Sequence, residues 1–174
     1  MVSAEMLKSM NADNEVNLLD LSFQKPVLLV FLRHFGCIFC REALTDIARN
    51  RTNLESKGVQ IILVHMSDNE TAEGYFKDFG LLGIRHISDP ACQYYSHFGL
   101  TKGNFNQLFG LKSWTRGFSI AVGDGIFPAL KQIGDGFQMP GVFLIEKGDV
   151  KEQFIHKSAA DRPDYSSLIK CCVV

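Results

Sequence analysis

The sequence predicts one α/β domain, residues 1–174, in three layers: a central mixed sheet flanked by helices. Three observations predict it. The runs Val27-Leu-Leu-Val-Phe-Leu32 and Val59–His65 are continuously apolar enough to be strands buried on both faces. A helical stripe separates them, which implies parallel pairing through a right-handed crossover. Near the C-terminus, Gly141–Glu146 and Val150–His156 flank a Lys147-Gly148-Asp149 turn, an antiparallel hairpin that makes the sheet mixed.

The elements follow in chain order. Val27–Leu32 is the first buried strand. From Arg41 the apolar positions Ala43, Leu44, Ile47, Ala48 and Leu54 trace one helix face, and Gly58 stands where a C-cap glycine belongs. After the second strand, Asp68 and Asn69 can cap a helix whose inner face carries Ala72, Tyr75, Phe76 and Phe79. A short strand at Ile84–Ile87 leads to Asp89-Pro90 and a helix carrying Cys92, Tyr95 and Leu100. Residues 101–138 lose a clean period. They are rich in glycine and phenylalanine, hold the single tryptophan, Trp114, and read as an excursion with one or two short helices that shapes a substrate surface. The hairpin follows, and Asp161-Arg-Pro-Asp164 starts a closing helix through Lys170.

Composition narrows the function classes. A chain of 174 residues with 46% hydrophobic and 21% charged residues buries a core without staples. A net charge of −1 gives no basic field to attract nucleic acid or anionic lipid. The apolar runs are too short to cross a bilayer, and Met1-Val-Ser-Ala-Glu-Met-Leu-Lys8 has no signal-peptide core. Five cysteines, an odd number with no framework spacing, point to a reducing, cytoplasmic setting.

The chemistry centres on Cys37 and Cys40 in Phe-Gly-Cys-Ile-Phe-Cys-Arg, between the first strand and its helix. Thiols on the first turn of a helix face unpaired N–H groups and the positive end of the macrodipole, which favour thiolate. The i, i+3 spacing brings the sulfurs within reach of a disulfide. The competing readings are buried structural thiols and half a zinc site; zinc wants a second ligand pair at matching spacing, and no other CxxC or HxxxH exists here. Arg41, beside Cys40, either lowers a thiolate pKa or binds an anionic substrate, or else merely solvates the helix. Pro140, just before Gly141–Glu146, is expected to be cis and to leave the preceding backbone free to pair with a bound chain beside the cysteines. His34 either polarises a thiol or ends a buried strand as a core residue. Cys92 reads as a small buried hydrophobe. Cys171-Cys172-Val-Val meets the loose prenylation form but lacks a basic run, so free thiols are the preferred reading. The glycines at 123–125 and 134–136 follow no strand and match no phosphate loop.

These residues carry a resemblance. Phe31-Leu-Arg-His-Phe-Gly-Cys-Ile-Phe-Cys-Arg-Glu-Ala43, Ser88-Asp-Pro90, Tyr95–Leu100, Pro140–Ile145 and His156-Lys-Ser-Ala-Ala-Asp-Arg-Pro-Asp164 together resemble the peroxiredoxin-like branch of the alkyl hydroperoxide reductase/thiol-specific antioxidant superfamily, which includes prostamide/prostaglandin F synthase-like and selenoprotein-L-type proteins. The resemblance implies a thioredoxin-like fold and carries the redox pair onto Cys37 and Cys40. A dithiol cycle on that pair is expected to need no metal or organic cofactor and to take an external reductant of thioredoxin or glutathione type. Superfamily members often dimerise, so a homodimer is compatible with it. One departure matters. Typical peroxiredoxins read Pro-x-x-x-Thr-x-x-Cys; with Cys40 as the peroxidatic residue, Cys37 replaces the threonine and Arg33 the proline. A dithiol with Cys37 as nucleophile and Cys40 as resolver fits the same residues. The expected activity is reduction of hydroperoxides or protein disulfides. The alternatives are a redox-responsive binding module without turnover and a reductase of lipid endoperoxides that uses the aromatic excursion as its pocket.

Overall fold

A computed structural model of the chain describes residues 2–13, 15–123, 125 and 134–172. Val27–Phe31 forms β3, the centre of a five-stranded sheet ordered β5-β4-β3-β6-β7. The sheet's other strands are β4 (Gln60–His65), β5 (Arg85–Ser88), β6 (Gly141–Glu146) and β7 (Asp149–Ile155). β3, β4 and β5 pair in parallel, Val27 opposite Gln60 and Ile62 opposite Arg85. β6 runs antiparallel to both β3 and β7, so the sheet is mixed as expected.

The helices are α1 (Ala4–Ser9), α2 (Leu18–Gln24), α3 (Ile38–Ser56), α4 (Asn69–Asp78), α5 (Gln93–His97), α6 (Phe105–Phe109), α7 (Leu111–Gly123) and α8 (Tyr165–Leu168). A two-residue ribbon, β1 (Asn11–Ala12) with β2 (Val16–Asn17), joins α1 to α2. Alternation along the strands splits the core in two. Leu28, Val30, Ile61, Leu63, Val142 and Leu144 face Leu44 and Ile47 of α3 and Phe76 of α4. Val27, Leu29, Phe31, Ile62, Val64 and Phe143 face Leu7, Leu18 and Leu21 of the N-terminal helices and Tyr95 of α5. Both faces are covered, which is why the central strands carry no polar alternation.

Several boundaries differ from the sequence reading. The helix behind the cysteines begins at Ile38, with Cys37 as its N-cap, so it takes in Cys40 on the first turn. Cys92 does not ride on α5; it precedes the helix in the left-handed region, φ 55°. Asp89 caps α5 instead, accepting from the backbone N–H of Gln93 (2.9 Å), Tyr94 (2.8 Å) and Tyr95 (3.3 Å). Asp89→Ala is therefore expected to cost about 0.5–2 kcal/mol, read as a lower urea midpoint; an unchanged midpoint would show the cap to be idle. The closing helix is one turn, Tyr165–Leu168, capped by Asp164 and ending short of Lys170. Lys147 and Gly148 both take positive φ in the two-residue turn between β6 and β7, the conformation that closes a tight hairpin. Part of the excursion, residues 124 and 126–133, lies outside the described residues, as do Val173 and Val174 of the tail pattern. The two tail thiols are free, with their sulfurs 3.3 Å apart.

The expected cis bond before Pro140 is a correction: among the described residues every peptide bond is trans. The backbone there is already engaged. Met139 N–H donates to Thr101 C=O at 3.2 Å, Gly103 N–H to Phe137 C=O at 2.7 Å, and Lys102 bridges Gln138. The segment is held by its own chain.

Candidate active site

β3 ends in a loop, Leu32–Gly36, that delivers the chain to the N-terminus of α3. The loop is held from beneath: Tyr95 Oη donates to Leu32 C=O at 2.7 Å and lies 3.1 Å from Val64 C=O. Phe35 turns inward and stacks on Tyr75, ring centroids 4.5 Å apart. The next charged side chain, Arg33, is buried at 6% exposure. Its Nε donates to Gln138 C=O at 3.4 Å and its Nη2 to Gly136 C=O, so the segment before β6 supplies a collar of carbonyls. The remaining nitrogen, Nη1, stands 2.8 Å from Cys37 Sγ.

That contact sets the two cysteines apart. A guanidinium has donors only, so the Cys37 sulfur is the acceptor, the role a negatively charged sulfur fills best. Cys40, 3% exposed, turns the other way, and its thiol donates to Arg33 C=O at 3.3 Å. Burial pushes the Cys40 thiol well above the usual range, with Cys37 beside it adding to the effect and the charges of Arg33 and Arg41 opposing it. Both cysteines are free thiols.

The other sequence candidates fall as follows. Arg41 lays its guanidinium over the ring of Phe79, 5.0 Å from the centroid, and reaches Cys40 only through its charge. His34 lines the groove described below; burial and the neighbouring Arg33 lower its pKa to about 4, so it is neutral at pH 7. Cys92 packs with the core on the opposite face of the sheet from Cys37 and Cys40. Pro140 lines a small enclosed cavity of ≈30 Å³ behind Cys40 together with Glu42, Asp46, His156 and Tyr165.

Sequence reasoning missed the charges behind that cavity. Glu42 and Asp46, one turn apart on α3, are both buried. Arg116 Nη2 from α7 contacts both Glu42 oxygens at 2.8 Å. Arg162 grips Asp46 through Nε at 2.6 Å and Nη2 at 2.5 Å. Burial raises the Glu42 pKa against the pull of Arg116 and Arg162. The available signal was two acids at i, i+4 beside an apolar stripe, with arginines far along the chain to answer them.

On its open side Cys37 borders a groove of ≈470 Å³. Ile38 and Phe39 form one wall, and Leu108, Gly117 and Phe118 of α6 and α7 the other. Part of the excursion thus lines the open side of this groove. Among the described residues no group of His, Cys, Asp and Glu is arranged to hold a metal ion, and no helix is long and apolar enough to cross a membrane.

Acid should loosen this fold. His65 is fully buried, its Nε2 2.9 Å from His86 Nδ1; burial, then His86, lowers its pKa to about 3. Burial lowers His156 to about 4. Both lie below the unfolded value of about 6.5, so as pH falls the unfolded chain takes up protons first. The contribution is intact above pH 6.5 and drains away toward pH 4 and below. Glu42, raised by burial, works in the opposite direction but is a single group. The urea midpoint is expected to drop between pH 7.0 and 4.5, and equal midpoints would contradict the assignment.

Comparison with known proteins places this architecture. The AhpC/TSA family model matches residues 3–153. The prostamide/prostaglandin F synthase of Danio rerio is 29% identical over 174 residues, 97% of this chain and 85% of that one. A yeast mitochondrial 1-Cys peroxiredoxin, described with thiol resolution through glutathione and thioredoxin systems, superimposes with a TM-score of 0.60 at 13% identity, covering 90% of this chain and 66% of that one. A putative thiol:disulfide interchange protein DsbE from Chlorobium tepidum gives a TM-score of 0.58 at 19% identity, covering 94% and 90%. At such identities the structural likenesses show the fold, which is thioredoxin-like.

Proposed function

The chain belongs to the AhpC/TSA family, and we propose that within it this protein is a dithiol oxidoreductase in which Cys37 attacks and Cys40 resolves. The observation that carries this reading is the contact of Arg33 Nη1 with Cys37 Sγ at 2.8 Å; Cys37, 8% exposed, borders the groove, whereas Cys40, 3% exposed, turns its thiol to Arg33 C=O. A guanidinium aimed at one sulfur is the electrostatic setting of a reactive thiolate.

The cycle balances in electrons and atoms. The Cys37 thiolate attacks the O–O bond of a hydroperoxide, giving a sulfenic acid and an alkoxide that takes a proton to leave as the alcohol. The Cys40 thiol then displaces water from that sulfenic acid and closes the Cys37–Cys40 disulfide. With a disulfide substrate, Cys37 forms a mixed disulfide and Cys40 expels the second thiol. An external dithiol of thioredoxin type, or two glutathiones, returns the two electrons. No metal or organic cofactor enters, and a reducing compartment such as the cytoplasm suits the cycle. Arg41 assists through its charge on Cys40.

A second reading has its own support. The groove beside Cys37 has predominantly apolar walls, and the Danio rerio relative carries the name prostamide/prostaglandin F synthase. Both favour a lipid endoperoxide as the oxidant, reduced by the same pair. The test is NADPH consumption coupled through thioredoxin and its reductase, with hydrogen peroxide, an alkyl hydroperoxide, a lipid endoperoxide and a protein disulfide offered separately. Sustained consumption supports the enzyme, and the preferred oxidant selects between the readings. Oxidation of the pair with no turnover on any oxidant sinks both and leaves a redox-responsive binding module.

A further inference from the structure

The wall of the groove opposite the cysteine helix is α7, and α7 has an unusual standing. Its residues Phe118, at the groove, and Val122 are each 71% exposed. At Gly117 it comes close to the helix it faces: a Cβ there would lie 3.9 Å from Ile38 and 3.9 Å from Phe39. One residue earlier, Arg116 reaches past the groove to Glu42, both carboxylate oxygens 2.8 Å from Nη2. Glu42 lies two residues beyond Cys40 on α3, with 8% of its side chain exposed, and Arg162 Nη1 stands 3.9 Å from its Oε1. An acid so buried loses its partner at a cost well beyond that of a surface pair. The ion pair therefore joins α3, whose N-cap is Cys37, to the wall facing it across the groove.

We propose that the Glu42–Arg116 pair is the specificity determinant of the dithiol site: it fixes α7 across from Ile38 and Phe39 and so sets the apolar slot that receives the flank of a substrate whose reactive atom meets Cys37. This rests on the reading of Cys37 as the attacking thiol. Arg116 is a positioning residue and touches neither sulfur nor substrate. Small polar oxidants reach Cys37 without the slot; oxidants with an aryl or alkyl body depend on it. An aligned apolar wall discriminates such bodies by about tenfold or more per group accommodated.

The experiment compares alkylation of Cys37 in the full chain by iodoacetamide and by N-benzyliodoacetamide, two reagents with one warhead and different bodies, read by mass spectrometry of the Cys37 peptide. The wild type is expected to prefer the benzyl reagent. Arg116→Gln and Glu42→Gln should lose most of that preference, about tenfold, while iodoacetamide reacts within about twofold of wild type. Arg116→Lys, which keeps the charge, should restore much of it. Phe118→Ser alters an exposed residue of the slot and leaves the buried pair alone, so it keeps the test decisive should a charge variant fold poorly; it should lose the preference too. A preference unchanged in Arg116→Gln overturns the proposal. So does an equal slowing of both reagents, which places the effect on thiol reactivity, and so does a Phe118→Ser that behaves as wild type. Alkylation requires no turnover. Failure of the NADPH assay sinks the enzyme reading alone, whereas alkylation of Cys40 ahead of Cys37 sinks the assignment of the nucleophile.

Discussion

Cys37→Ser is expected to consume no oxidant, and Cys40→Ser to consume one equivalent and stop. The difference follows from where the two sulfurs point. Cys37 lies beside Arg33 and borders the groove, while Cys40 is sealed inside and donates to a backbone carbonyl. Without Cys37 the remaining thiol is one that burial holds protonated and hidden, so multiple turnover should fall by on the order of 10³-fold or more, the scale of losing a nucleophile. Without Cys40 the first step survives, and Cys37 accumulates as a sulfenic acid or a mixed disulfide, visible as a mass increment on its peptide. The reverse pattern, with Cys37→Ser still reacting at Cys40, would restore the arrangement of typical peroxiredoxins and remove the role assigned to Arg33.

Two kinds of information were legible in the sequence to very different degrees. Val27–Leu32 and Val59–His65 announced a parallel pair because a strand buried on both faces must be apolar at every position. The CxxC announced itself because its chemistry requires a strand before it and a helix after it. α1, β1, β2 and α2 were not legible, since each is too short to show a period. Leu7, Leu18 and Leu21 become core only by lying on the second face of the sheet. Arg33 was visible as a departure from the Pro-x-x-x-Thr-x-x-Cys pattern, yet nothing local says where an arginine at a strand end will point. Its direction comes from Gly136 and Gln138, more than a hundred residues away. Arg41 looked the better partner because it adjoins Cys40 in sequence, but neighbours at i, i+1 on a helix diverge by about 100°. The same non-locality hid Glu42 and Arg116. Pro140 misled for a related reason: proline biases the bond before it only weakly toward cis, and here the segment that precedes it is paired with Thr101 and Gly103.

Under the proposed cycle Arg33 serves both the fold and the chemistry, and Arg33→Met is expected to damage both. Methionine has a similar reach and no donors. It leaves the carbonyls of Gly136 and Gln138 unpaired near the buried site, at about 1–3 kcal/mol, and it removes the cation from Cys37. Losing one oriented donor at the position where charge resides slows a reaction by about 10²–10³-fold, so the first step, followed as a single turnover with a stoichiometric hydroperoxide, should slow by that amount. Arg33→Lys separates the two contributions. Its ammonium supplies the charge but cannot span two carbonyls and a sulfur as a planar fork does, so it should recover part of the rate with little of the stability. If Arg33→Met reacts at the wild-type rate while losing stability, the arginine is only a strut for the segment before β6. The attack of Cys37 would then rest on its place at the N-terminus of α3 alone.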